Sequence, residues 1–247
     1  MNRQAFHLVL AVGLLCVGRS AVAVPLMVDD FESPDPAGVR LIGVSQPNSQ
    51  PFQELGNPIT LGDQRDVLVS VQGTPKPNSA QVLIGYEDQL FNTGVFQVAT
   101  ASDPGSVITL QYDGVDSNPV ELTNAHSLLE RVVGGLTIDF LTVDAPFGGN
   151  LDVTITLHSN GATATYAGIA PEAATPYSLF APYASFNAGA GFDFDAVDSF
   201  EFVFNASGRP DVDFVIDQIW TVVPEPSAFV LGCVAIAGFV AGRRVRR

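Results

Sequence analysis

Between residues 39 and 221 apolar and polar positions alternate with period two, in short runs that recur every 10 to 15 residues. In 136–143, Leu136, Ile138 and Phe140 fall on one face. In 151–157 every odd position is apolar, and Phe200, Phe202 and Phe204 repeat the pattern further on. Such alternation predicts half-buried strands of antiparallel sheets. The predicted strands are 39–45, 66–72, 80–86, 94–99, 106–112, 136–143, 151–158, 162–167, 196–205 and 212–221. In the last of them, strict alternation puts Val212, Phe214, Ile216 and Gln218 on one face, with Val215, Asp217 and Ile219 on the other.

The segments between these runs are turn material. They include 73–78 with Pro75 and Pro77, Asp103-Pro104-Gly105, and 145–150 with Gly148 and Gly149. Asn160-Gly161, between two alternating runs, predicts a tight hairpin. Only 121–133 has a helical pattern, and no strand–helix–strand rhythm appears. The expected fold is all-β, an antiparallel β-sandwich of jelly-roll type spanning 24–223 as one domain.

The two ends read differently. Residues 1–23 have the form of a secretory signal peptide: Arg3, an apolar run from Leu8 to Val17, and the small-x-small site Ala21-Val22-Ala23. Cleavage after Ala23 makes Val24 the first mature residue and requires the Sec translocon. An uncleaved N-terminal anchor is the alternative. At the other end, Pro224-Glu225-Pro226 precedes an apolar run, 227–242, and the close Arg243-Arg244-Val245-Arg246-Arg247. That run predicts one short hydrophobic helix about 24 Å long. It is marginal for a hydrocarbon core of roughly 30 Å, although arginine side chains extend its reach by snorkelling.

This order resembles the PEP-CTERM sorting signal over residues 224–247. The resemblance implies that Pro224, Glu225 and Pro226, with Arg243, Arg244, Arg246 and Arg247, are recognised by an exosortase-like processing enzyme. It further implies a bacterial protein held at the inner membrane by its tail before processing, then delivered to the cell surface or extracellular matrix, in a setting of exopolysaccharide production. An ordinary tail anchor is the plainer alternative.

Charge sharpens this picture. Of 26 acidic residues 25 lie in 24–223, against five basic ones: Arg40, Arg65, Lys76, Arg131 and Arg209. Such a surface repels nucleic acid. Cys16 and Cys233 both lie in the terminal apolar segments, so the domain has neither a disulfide nor a thiol for catalysis.

The domain opens Val28-Asp29-Asp30-Phe31-Glu32 and closes Ile216-Asp217-Gln218-Ile219. These two segments resemble the terminal strands of jelly-roll domains of the galactose-binding-like, carbohydrate-binding-module type. The resemblance implies that first and last strands lie together, clipped by a structural calcium with Asp30, Glu32 and Asp217 as ligands. Read from the residues alone, Asp217 sits between apolar neighbours and needs a partner. An arginine or backbone donors would serve as well as calcium.

Other constellations are weaker. Asp193, Asp195, Asp198 and Glu201 form an acidic cluster without the spacing of a calcium loop, and read as surface charge. His126 and His158 stand 32 residues apart with no metal or triad pattern around them. Exposed aromatics in 166–186 are candidates for stacking on sugars, with Tyr166, Tyr177 and Tyr183 foremost and Phe180 and Phe186 nearby. No catalytic set emerges. The expectation is a non-enzymatic exported surface or matrix protein. The alternatives are a carbohydrate-binding module acting on exopolysaccharide and, behind it, a secreted glycoside hydrolase.

Overall fold

A computed structural model gives the architecture of this chain and describes residues 25–32, 40–44, 49–55, 60–71, 80–84, 94–100, 105–115, 134–146, 149–209 and 211–222. Among them fourteen strands form two seven-stranded antiparallel sheets. The first sheet contains β1 (Met27–Asp29), β2 (Arg40–Val44), β5 (Ala80–Ile84), β6 (Phe96–Thr100), β8 (Gly135–Asp144), β11 (Tyr177–Pro182) and β14 (Asp213–Val222). Its order is β11-β8-β14-β6-β5-β2, with β1 also paired to β14. The second contains β3 (Ser49–Leu55), β4 (Gln64–Val71), β7 (Ser106–Tyr112), β9 (Asn150–Ser159), β10 (Ala162–Pro171), β12 (Asn187–Ala188) and β13 (Ser199–Asn205), in the order β12-β10-β9-β13-β7-β4-β3. Pro25–Val222 forms one compact unit.

All ten strands predicted from alternation are present. The inner faces of both sheets supply one core, with Val67, Val69, Ile108, Leu110, Val153, Ile155, Phe202 and Phe204 from the second sheet. Val82, Phe96, Ile138, Phe140, Phe214 and Ile216 come from the first. Burying each such side chain contributes on the order of 2 kcal/mol. The predicted hairpin joins β9 to β10, with Asn160 at φ 51° and Gly161 at φ 76°. Two left-handed residues in succession are what the mirror-image turn of a two-residue hairpin demands.

β1, β3, β11 and β12 were not among the predicted strands. Three of them, β3, β11 and β12, are edge strands. Pro51 lies inside β3 and Pro182 closes β11. An edge tolerates proline because one side of its backbone needs no ladder partner. The expected helix at 121–133, the tail helix at 227–242 and the signal and sorting residues lie outside the described residues. Among the described residues no helix is long and apolar enough to cross a membrane.

First and last strands lie together, as the jelly-roll resemblance implied. β14 pairs with β8 along its whole length. On its other edge β6 covers Phe214–Ile216 and β1 covers the second half, with Met27 opposite Trp220 and Asp29 opposite Ile219. Leu26 and Thr221 close the end of this pair: the Thr221 N–H donates to the Leu26 carbonyl at 2.8 Å.

The last strand departs from strict alternation. Ile216 faces Phe140 and Gln218 faces Asp139, so Asp217 is an extra residue in β14 and Leu141 an extra one in β8. These bulges switch the faces that follow. Ile219 therefore joins Phe214 and Ile216 in the core. Gln218 and Trp220 turn to the outer surface, contrary to the face expected for Gln218.

Candidate functional site

Two polar constellations stand out, one between the sheets and one on the outer face of the first sheet. The inner one starts from parity. On β4, Arg65 shares the inward face of Val67, Val69 and Val71, and on β7 Tyr112 shares that of Ile108 and Leu110. β1 brings Asp29 in from the opposite sheet. All three are buried. The Arg65 guanidinium donates to both Asp29 carboxylate oxygens, from Nε at 2.5 Å and from Nη2. The Tyr112 hydroxyl donates to Oδ2 at 2.7 Å, and the Phe31 N–H to Oδ1 at 2.8 Å. Phe31 closes the cluster, with the Arg65 guanidinium 5.1 Å from its ring centroid. Burial, and next the Asp29 carboxylate, push the Tyr112 phenol well above its ordinary range, so it stays a donor.

This cluster ties β1 to β4 and β7 of the opposite sheet. Asp30 is half-buried, and its carboxylate accepts the Glu32 N–H at 3.1 Å. Desolvation raises its pKa. Glu32 accepts the Gly94 N–H at 3.0 Å. Asp217 sits half-buried in the β14 bulge. Among the described residues no three His, Cys, Asp or Glu side chains gather as a metal-binding group.

The outer constellation centres on Asp139 of β8. Ile138 and Phe140 point inward, so Asp139 points out. Its Oδ1 accepts the Ser178 hydroxyl at 2.5 Å, from β11. Its Oδ2 accepts the Gln218 amide at 2.7 Å and the Trp220 indole N–H at 2.8 Å, both from β14. The β14 bulge makes this possible, since without it Gln218 and Trp220 would face the core.

An aromatic row lies one pair further along. Phe180 and Trp220 both stand opposite Thr137, from β11 and β14 respectively, and Met27 of β1 stands opposite Trp220. Phe180 is 46% exposed, while Thr137 between the two rings is 3% exposed. A Cβ built on Gly135 would come within 2.5 Å of the Phe180 ring. The missing side chain lets that ring lie down along the sheet with its other face open to solvent.

The second sheet's outer face is built differently. Thr165, Thr156, Glu201, Gln111 and Asp66 form a straight row across β10, β9, β13, β7 and β4. Gln111 donates to Glu201 at 3.0 Å. The outward residues of β7, β9, β10 and β13 include no Phe, Tyr or Trp.

The three tyrosines foremost for stacking are engaged inside the domain. Tyr177 stacks on Phe140 with centroids 5.3 Å apart, and its hydroxyl donates to the Pro171 carbonyl at 3.2 Å. Tyr183 is buried against Phe186 and Phe194, and burial raises its phenol pKa. Tyr166 is half-buried against Phe186 at 5.5 Å. Within β11, Tyr177, Leu179 and Ala181 face inward, which leaves Ser178 and Phe180 outside. The acidic cluster is spent locally: Asp193 accepts the Asp195 N–H, Asp198 the Asn160 N–H, and Glu201 the Gln111 amide. His158 has its Nε2 buried without a hydrogen-bond partner, and desolvation lowers its pKa. His126 lies outside the described residues.

The fold and this surface define an antiparallel β-sandwich with a polar–aromatic outer face. No family model matches the chain, and no curated protein matches it. Among solved structures it is similar to a family 11 carbohydrate-binding module from Clostridium thermocellum in complex with a β-1,3-1,4-mixed-linked tetrasaccharide. That match has 14% identity, TM-score 0.39, and covers 81% of this chain and 97% of that one. The family 11 module of a cellulosomal cellulase of Clostridium thermocellum gives 11% identity and TM-score 0.41, covering 83% and 99%. A family 61 carbohydrate-binding module in complex with β-1,4-galactotriose gives 8% identity and TM-score 0.36, covering 64% and 88%. The assignment as a sandwich rests on the strand pairings themselves.

Proposed function

We propose that the domain is a non-catalytic carbohydrate-binding module, displayed by an exported surface or matrix protein, with the outer face of the first sheet as its binding surface. One observation carries this reading: Asp139 holds Ser178, Gln218 and the Trp220 indole in fixed positions beside the open ring of Phe180. Polysaccharides offer hydroxyls and the apolar faces of sugar rings. A pre-organised carboxylate–amide–hydroxyl group next to aromatic rings matches both needs without ordering side chains on binding. The acidic surface that repels nucleic acid is no obstacle to an uncharged chain. Export through the Sec translocon and sorting through Pro224-Glu225-Pro226 belong to the same proposal, because a module of this kind acts where the polysaccharide is.

Affinity electrophoresis of the full chain through gels containing soluble polysaccharides tests the reading. Retardation in at least one glycan gel is expected, abolished or strongly reduced in Trp220→Ala and unchanged in Tyr177→Phe. Retardation that survives Trp220→Ala would move the binding surface elsewhere.

A further inference from the structure

The geometry points to a particular class of ligand: a neutral, extended polysaccharide whose backbone runs across the strands, bridging Phe180 and Trp220. This rests on the carbohydrate-binding reading and goes beyond it in charge, orientation and minimum length.

Orientation follows from register. Phe180 and Trp220 each pair with Thr137, so their Cα positions are two strand spacings apart, about 10 Å. An extended chain of pyranose units can span that gap with a unit between the two rings. A backbone lying along the row would set one sugar on Phe180 and another on Trp220. The unit between them would pass over Thr137, with Asp139, Ser178 and Gln218 along one flank. A chain running parallel to the strands would meet only one ring.

Charge follows from the donors. Asp139 accepts from a hydroxyl, an amide and an indole, all neutral. Three of its roughly four acceptor positions are filled, which leaves one for a sugar hydroxyl. Among the described side chains, Arg65 is buried with Asp29 and Arg209 pairs with Asp152. Neither stands on this face. A uronate or sulfate would therefore meet a carboxylate and, among the described side chains, no cation, on a chain of net charge −15. Like-charge contact of this kind selects against an anionic ligand.

Trp220 is the sole tryptophan, so its fluorescence reports directly on this face. The test is a titration of the full chain with a neutral β-glucan hexasaccharide, the matching disaccharide, and a polygalacturonate oligomer of equal length. A saturable change is expected with the neutral hexasaccharide, at least tenfold weaker binding of the disaccharide, and none with the uronate. Phe180→Ala should weaken the hexasaccharide roughly tenfold, about 1.4 kcal/mol, and leave the disaccharide unaffected. Equal binding of the uronate overturns the charge argument, and equal binding of the disaccharide overturns the bridging argument; both leave the carbohydrate reading standing. No change with any of the three, together with no retardation in glycan gels, overturns the reading itself.

Discussion

Asp29 and Asp139 are two carboxylates in one domain with opposite surroundings. Each is gripped by side chains from two other strands. Asp29 is buried, receives four donors and has its charge met by Arg65. Asp139 faces solvent, receives three neutral donors and keeps an acceptor position open. Saturation makes the first a structural joint. Incompleteness, together with the open ring of Phe180 nearby, makes the second a recognition surface.

Removing the buried partner should break the comparison most visibly. Asp29→Ala removes the carboxylate that takes two hydrogen bonds from the buried Arg65 guanidinium, at a cost of about 3–5 kcal/mol. Chemical denaturation should show that loss, and glycan affinity of the protein that remains folded should be unchanged. A loss below about 1 kcal/mol would mean that water reaches the joint. Asp139→Ala should do the reverse. Water can satisfy the freed Ser178, Gln218 and Trp220 donors, so stability should fall by only about 1 kcal/mol, while glycan binding drops at least as far as in Phe180→Ala.

Acid should sharpen the contrast in a smaller way. His158 has a lowered pKa in the folded state because burial disfavours its charged form. Its neutral form is therefore favoured by folding. The unfolded chain binds the proton more readily, so stability is full above the ordinary histidine pKa of about 6.5 and falls as pH drops from there through the lowered folded value. His158→Gln should flatten that limb of a Tm-against-pH curve. Asp213 has the opposite sign: desolvation raises its pKa, so its ionisation weakens the fold as pH rises through that value. Asp213→Asn should then raise Tm slightly at neutral pH, by less than about 2 °C, since Asn retains an acceptor for the Thr100 N–H.

Strands with one buried and one exposed face were legible because alternation is their signature. β3, β11 and β12 escaped: β3 and β11 carry prolines, tolerated at an edge, that elsewhere signal a turn, and β12 has only two residues, too few to show a pattern. That omission hid the site. Without β11, parity could not separate inward Tyr177 from outward Phe180, and the tyrosines stood out by residue type alone. The β14 bulge hid the other half. Its trace was the apolar spacing Phe214, Ile216, Ile219, two residues and then three, which strict alternation read as a change of face. Asp29 shares the parity of inward Phe31, whereas Asp30 and Glu32, the residues the resemblance singles out, share the other face.

The pairing of β1 with β14 has a mechanical consequence. The sandwich begins at Leu26 and ends at Thr221–Val222, and those ends face each other across one antiparallel pair. A pull between the two ends would unzip that pair one hydrogen bond at a time, at low force, until it reached Asp29. The domain would thus open from its chain ends, β1 first, with the Asp29 cluster as the stop.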